Sequence, residues 1–145
     1  IKDNNKKGLK VLFTSENIKE HAFLKYGDER YWGYTEDDAI NYFLKNINKI
    51  NLNIEEIVIR PHPSDHIGKY SWALENKLVS SISSEKSLIQ VIANSDIIVG
   101  CESMAMVAAL AVNKKVISCI PPFGKKSSLP HKEIINFVEL LKDYF

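Results

Sequence analysis

Short apolar runs and amphipathic stretches alternate along the chain, a pattern typical of strands separated by helices. Continuous apolar and β-branched runs predict five strands, at residues 9 to 13, 56 to 60, 78 to 81, 96 to 99 and 115 to 119. The second of these is followed at once by Pro61 and Pro63, which cannot donate a hydrogen bond to a sheet. The pattern therefore predicts a sheet made of strands that lie far apart in sequence.

The clearest helix begins after Thr35. Asp38, three residues on, gives a capping box, and apolar residues then recur at the spacing of one helical face, at Ile40, Phe43, Leu44 and Ile47. Further helices are predicted at 66 to 74, from a cap at Ser84 to residue 94, at 103 to 112, and at 134 to 141. Residues 14 to 33 lack clean periodicity, so we expect a long loop with a short helical turn.

Strands that are apolar along their whole length, each followed by a helix, indicate a parallel sheet covered on both faces. We therefore predict an α/β fold, a Rossmann-like three-layer domain over residues 9 to 145, with a mostly parallel sheet of about five strands. Residues 1 to 8 are polar and rich in Lys and Asn. We interpret them as a linker or a frayed terminus.

The composition fits one globular domain. The 145 residues are 45% hydrophobic and 26% charged, enough for a single core, and the formal net charge of +1 argues against a broad nucleic-acid surface. Without a run of about 18 apolar residues or a signal peptide, we predict a cytoplasmic protein whose two cysteines are reduced. The histidines lack metal-ligand spacing, so neither a metal nor a cofactor is predicted. The chain begins with Ile, which is compatible with a piece of a longer protein.

Candidate chemistry lies where the predicted strands end, because ligands of parallel sheets bind at the carboxyl edge. Ser15, within the stretch 14 to 17, follows the first strand, and Arg60 and His62 lie at the end of the second. Prolines on both sides restrict the backbone of His62. Its imidazole can donate a hydrogen bond to a phosphate or act as an acid for a leaving phosphate, which makes it a candidate catalytic residue. The alternative is a surface histidine in a proline-rich turn.

The fourth strand runs through Gly100 into a helix of small and apolar residues. This geometry presents backbone amides to an anion, although the dinucleotide fingerprint and the P-loop are both absent. Ser103 is a candidate phosphate ligand or, alternatively, an N-cap. Glu102 suits a sugar hydroxyl or the helix dipole. Met104 lies in the same vicinity, with packing against the sheet as the alternative for the methionines of this helix.

The segments Arg60-Pro61-His62-Pro63 and 95 to 109 together resemble the carboxyl-terminal domain of GT-B glycosyltransferases that assemble bacterial surface polysaccharides. They are most similar to the sialyltransferase and polysialyltransferase type, which carries a His-Pro motif and a downstream serine motif. The resemblance implies that His62 and Ser103, with Arg60 beside them, bind the donor phosphate of a CMP-sugar, and that His62 helps the nucleotide to leave.

The resemblance also implies a missing half. A GT-B enzyme needs two Rossmann-like domains and this chain has one. The expected partners are therefore an amino-terminal domain of the same protein that carries the general base, a nucleotide-sugar donor and a glycan acceptor. Ser15, Glu102 and Met104 would lie near the donor sugar or nucleotide. We expect the chain alone to bind donor weakly and to transfer nothing, and any contact with a membrane to come through the missing part.

Two alternative functions stay open at this point. The same segments resemble the carboxyl-terminal half of UDP-N-acetylglucosamine 2-epimerases, but the paired glycines expected after Ser103 are replaced by other residues. The other alternative is a non-catalytic β/α binding or assembly module, in which Arg60 and His62 only cap the sheet. Selective binding of a cytidine or a uridine nucleotide, or of neither, distinguishes the three hypotheses.

Overall fold

The computed structural model describes residues 8 to 143, so the predicted linker at 1 to 8 lies outside the described residues except for Gly8. Within these residues, six strands form one sheet: β1 Leu9–Thr14, β2 Ile54–Arg60, β3 Val79–Ile82, β4 Ile97–Gly100, β5 Lys115–Ser118 and β6 Ile135–Asn136. Every pair of neighbours is parallel, in the order β3-β2-β1-β4-β5-β6. The predicted Rossmann-like α/β fold is confirmed.

Helices cover both faces of the sheet: α1 Ile18–Tyr26, α2 Glu36–Asn46, α3 Leu88–Ala93, α4 Met104–Ala111 and α5 Phe137–Lys142. Side chains of a strand alternate between faces, so Val11 and Phe13 of β1 pack in the core with α2 and α5, whereas Leu12 packs with α3 and α4. The domain therefore has three layers. Between residues 8 and 143, none of the helices is long and apolar enough to cross a membrane.

The capping box predicted for α2 is present. The Asp38 amide donates to Thr35 Oγ1 at 3.2 Å, and the Thr35 amide donates back to Asp38 Oδ2 at 2.9 Å. Two amides that lack partners within the helix are thereby satisfied. This fixes the start of α2 directly after the segment that leads out of α1.

Three predicted elements differ from the structure in type or by more than two residues at one end. The closing helix begins at Phe137 rather than at 134, because Ile135 pairs with Ile117 and adds a sixth strand. The helix predicted at 66 to 74 is a short 3₁₀ helix at Ser71–Glu75, since Gly68 turns the backbone to a positive φ of 89°. Ser87, whose Oγ accepts from the Gln90 amide, caps α3 in place of Ser84.

The short helical turn expected within residues 14 to 33 is present as the longer helix α1, which occupies nine of these residues, so the long loop predicted around it is wrong. Ile18 and Ala22 of this helix are buried, whereas Phe23, Leu24 and Tyr26 are exposed. The apolar residues therefore do not form a single stripe, and periodicity could not reveal the helix. It ends at a left-handed glycine at position 27, whose amide donates to the Phe23 carbonyl.

Candidate functional site

A cavity of about 990 Å³ opens over the carboxyl ends of β1, β2 and β4. The chain order reverses at β1, with β2 on one side and β4 on the other, and this switch point is where open parallel sheets leave a crevice. All the candidate residues line this one cavity: Ser15, Arg60, His62, Glu102, Ser103 and Met104. The structure thus brings together side chains from three separate parts of the sequence.

The turn after β2 fixes the orientation and the tautomer of His62. Its backbone amide donates to Asp65 Oδ2 at 2.9 Å, and its Nδ1 accepts from the Ser64 amide at 3.1 Å. Asn17 Nδ2 donates to Ser64 Oγ at 2.7 Å, and that hydroxyl lies 2.8 Å from Nδ1. Because Nδ1 is an acceptor, the neutral ring carries its proton on Nε2. His62 therefore offers one hydrogen-bond donor, at Nε2.

A buried lysine ties this turn to two helices. Lys69 Nζ donates to Glu36 of α2 at 2.6 Å, to Asp65 of the His62 turn at 2.9 Å and to Glu20 of α1 at 3.1 Å. Burial opposes the charge of Lys69, but the hydrogen bonds to Glu36 and Asp65 outweigh it and raise the pKa of the lysine. The charged form persists, and the position of the His62 turn is coupled to α1 and α2.

Ser103 occupies the N-cap position of α4 but its side chain does not cap the helix. Its Oγ lies 3.1 Å from Thr14 Oγ1, which itself lies 3.3 Å from the Val99 carbonyl oxygen. If Thr14 donates to Val99, its oxygen accepts from Ser103. Gly100 allows this approach, because a Cβ there would lie 2.8 Å from Thr14 Oγ1. The Ser103 hydroxyl is thus held at the junction of β1 and β4, inside the cavity.

The remaining candidate side chains differ in their hydrogen-bond partners and in their exposure. Ser15 Oγ is hydrogen-bonded to Tyr70 Oη, which leaves it in the cavity wall as part of a buried pair. Arg60 Nη2 donates to the Lys86 carbonyl at 3.3 Å, while its buried Nε has no partner among residues 8 to 143. Met104 is 71% exposed, whereas Met106 is buried against the sheet. Packing therefore explains Met106 and does not explain Met104.

Glu102 is engaged by the loop after β5. Its carboxylate accepts from Lys125 Nζ at 2.7 Å and from the Ser128 hydroxyl and amide at 2.6 and 3.1 Å. Partial burial opposes ionisation, but these donors prevail and lower the pKa of Glu102. Lys125, in the loop after β5, is thus paired with Glu102 at the cavity.

Two features of the cavity were not singled out from the sequence. Glu16 lies in the stretch 14 to 17, and its Oε2 accepts from the Glu102 amide at 2.9 Å. Burial raises the pKa of Glu16, and the neighbouring Glu102 carboxylate adds to that effect. Its place at the end of β1 was the available signal. The second feature is a group of aromatic side chains from α1 and the segment after it, where the sequence predicted only a short helical turn within a loop.

The described residues contain no cluster suited to a metal ion. Between residues 8 and 143, no three His, Cys, Asp or Glu side chains are arranged to hold one. Cys101 and Cys119 are both buried as free thiols.

Comparison with known proteins identifies a solved structure with the same fold. No family model matches the sequence, and no curated protein does. Among solved structures, KpsC from Thermosulfurimonas dismutans, a beta Kdo 2,7 transferase, matches with a TM-score of 0.56 and 18% sequence identity. The two proteins share a fold. The match covers 90% of this chain and 38% of the KpsC chain, so this chain spans less than half the length of that protein.

At this identity the likeness extends to the fold and not to the residues of the site. The all-parallel sheet between layers of helices is the architecture expected of one half of a GT-B enzyme. The resemblance found in the sequence is therefore supported at the level of the fold. It is not supported at the finer level of a sialyltransferase.

Proposed function

We propose that this chain is the donor-binding domain of a glycosyltransferase that uses a nucleotide-activated sugar to build a bacterial surface glycan. The observation that carries the proposal is the cavity at the β1/β4 switch point, where His62, Ser103 and Arg60 line one space. The fold shared with KpsC, whose name describes sugar transfer, supports the same conclusion.

The three side chains suit a phosphate. His62 Nε2–H can donate to a phosphate oxygen, and Arg60 supplies positive charge. The Ser103 hydroxyl can also donate to it when its one hydrogen turns from Thr14 to the ligand. As the bond between the sugar and the phosphate breaks, negative charge accumulates on the oxygen that leaves. Donors placed at that oxygen bind it more tightly in the transition state than in the ground state, which accelerates transfer. We assign the general base, which removes the acceptor's proton, to a second domain outside this chain.

Within this proposal we favour a CMP-sugar, because the His-Pro and serine motifs resemble those of enzymes that use this donor. The epimerase alternative makes a different prediction, namely binding of UDP-N-acetylglucosamine without preference for cytidine. The non-catalytic alternative predicts that no nucleotide binds at His62. A single titration series therefore separates the three hypotheses.

The experiment is a thermal-shift titration with CMP, CDP, UDP and GDP on the parent chain, His62→Ala and His66→Ala. His66 is an exposed histidine four residues away that does not line the cavity, so it is the matched control. A ligand at a hundredfold excess over Kd adds about 2.7 kcal/mol, or several degrees in Tm for a domain of this size. We expect a selective shift with CMP that His66→Ala retains, and an affinity about tenfold weaker in His62→Ala. Equal shifts in all three proteins would contradict the proposal.

A further inference from the structure

The cavity has a second wall with a different chemistry from that of His62 and Ser103. His21, Leu24 and Tyr26 of α1 line it together with Trp32. We call these four residues the aromatic wall. Since phosphate binding accounts only for the polar side of a cavity of about 990 Å³, the aromatic wall is left without an assigned ligand.

The rings of the aromatic wall are held in place by one another. Trp32 stacks on His21 with centroids 5.7 Å apart and meets Tyr26 edge to face at 5.8 Å. Tyr26 stacks in turn on Tyr31 at 3.6 Å. A ligand that binds here meets a surface already ordered, so little side-chain entropy is lost on binding.

The aromatic wall is also accessible. Leu24 is 82% exposed and Tyr26 is 41% exposed, although both line the cavity. Apolar groups left open inside a concave site are typical of a ligand-binding surface. The exposed side of α1 is therefore a candidate binding surface rather than unfilled core.

Carboxylates beside the aromatic wall restrict the class of ligand. Glu16 and Glu20 line the same cavity, and a carboxylate repels a phosphate but accepts hydrogen bonds from hydroxyl groups. Lys25 adds a cation, with its Nζ 5.5 Å from the centroid of the Tyr26 ring. Apolar rings bordered by acceptors suit a molecule with an apolar face and a rim of hydroxyls, which describes a pyranose sugar.

We propose that the aromatic wall binds a pyranose ring of the glycan substrate, separately from the nucleotide phosphate at His62 and Ser103. The identity of that ring as part of a glycan substrate rests on the proposed function, whereas the binding of a sugar to the aromatic wall does not. The two sites divide the cavity, with the phosphate against the ends of β2 and β4 and the sugar against α1.

Trp32 reports directly on this site. The chain has two tryptophans, and Trp72 does not line the cavity. In a Trp72→Phe background, the emission of Trp32 is titrated to about 100 mM with methyl pyranosides of glucose, galactose and N-acetylglucosamine, with Kdo and with sialic acid. CMP is titrated separately in the same background.

We expect at least one sugar to change the Trp32 emission with saturation, and Leu24→Ser to weaken its affinity about tenfold. Ile89→Ser is the matched control, since Ile89 is 79% exposed but lies outside the cavity, and it should leave the affinity unchanged. No response to any sugar of the panel would overturn the proposal. So would a response to CMP that competes with the sugar, because the aromatic wall would then bind the nucleobase.

The outcomes keep the two proposals apart. Sugar binding at Trp32 without any nucleotide binding at His62 refutes the proposed function and leaves this inference in place. Nucleotide binding that depends on His62, with no sugar changing the Trp32 emission, refutes this inference and leaves the proposed function in place.

Discussion

Glu16 and Glu102 are neighbours in the cavity, and their pKa values are shifted in opposite directions. Burial raises the pKa of Glu16, which has the Glu102 amide as a donor, whereas Lys125 and Ser128 overcome partial burial and lower the pKa of Glu102. At Glu16 burial outweighs the backbone donors, whereas at Glu102 the Lys125 ammonium and Ser128 outweigh burial. At neutral pH the ionised form of Glu16 is the less favourable of the two.

Substitution of glutamine for Glu16 and for Glu102 should therefore change the stability of the protein in opposite directions. Because the folded pKa of Glu16 lies above 4.5, the parent protein loses stability as the pH rises through that folded pKa. The free energy of unfolding of Glu16→Gln should therefore exceed that of the parent by about 0.5 to 1 kcal/mol at pH 7, with no difference at pH 4. The folded pKa of Glu102 lies below 4.5, so Glu102→Gln should lose about 1 kcal/mol at pH 7, and the loss should shrink as the pH falls. Urea unfolding across this pH range measures both, and shifts of the same sign in the two variants would contradict the assignment.

Helices α2 and α4 begin in different ways. The side chain of Thr35 caps α2, whereas Ser103, at the same position of α4, directs its hydroxyl to Thr14. A side chain that satisfies its own helix contributes to stability, and one that leaves its helix uncapped is available for another task. The start of α4 is thus less optimised for stability than the start of α2.

Alanine at these two positions should separate stability from binding. Thr35→Ala removes the cap and should cost about 1 kcal/mol of unfolding free energy without changing nucleotide affinity. Ser103→Ala removes no cap, so its cost in stability should be smaller, while its affinity for CMP should fall. Chemical denaturation and calorimetric titration of the two variants provide the test, and a larger stability loss in Ser103→Ala would disagree with it.

Ion pairs of Lys69 connect α1, α2 and the turn that carries His62. Its removal leaves Glu36 and Asp65 with buried charges and no lysine to compensate them. Lys69→Met should therefore cost about 3 to 5 kcal/mol. Lys142→Met is the control, since Lys142 and Glu139 are both about two-thirds exposed and their 3.3 Å ion pair should contribute less than about 0.5 kcal/mol. Similar unfolding midpoints for the two variants would show that the buried cluster is not stabilising.

At the scale of the whole molecule, the sheet and the edge where the candidate residues meet in one cavity could be predicted because they follow from local patterns. Apolar runs reveal buried strands, and parallel strands place their carboxyl ends at one edge. The contacts that engage the site could not be predicted, since Lys125 meets Glu102 and Lys69 meets Glu36 only after the chain has folded. The full length of helix α1, and with it the aromatic wall, could not be predicted because the apolar residues of this helix point in several directions.

The central position of β1 also determines the order in which the sheet can form during synthesis. Among the strands of this sheet, β1 is synthesised first; it pairs with β2 on one side and receives β4 on the other only about 40 residues after β2 is complete. At about 5 to 20 residues per second, this wait lasts several seconds. Throughout it, a central strand of the finished sheet is an open edge that can pair with other nascent chains. Slower translation between β2 and β4 should therefore reduce the yield of folded protein.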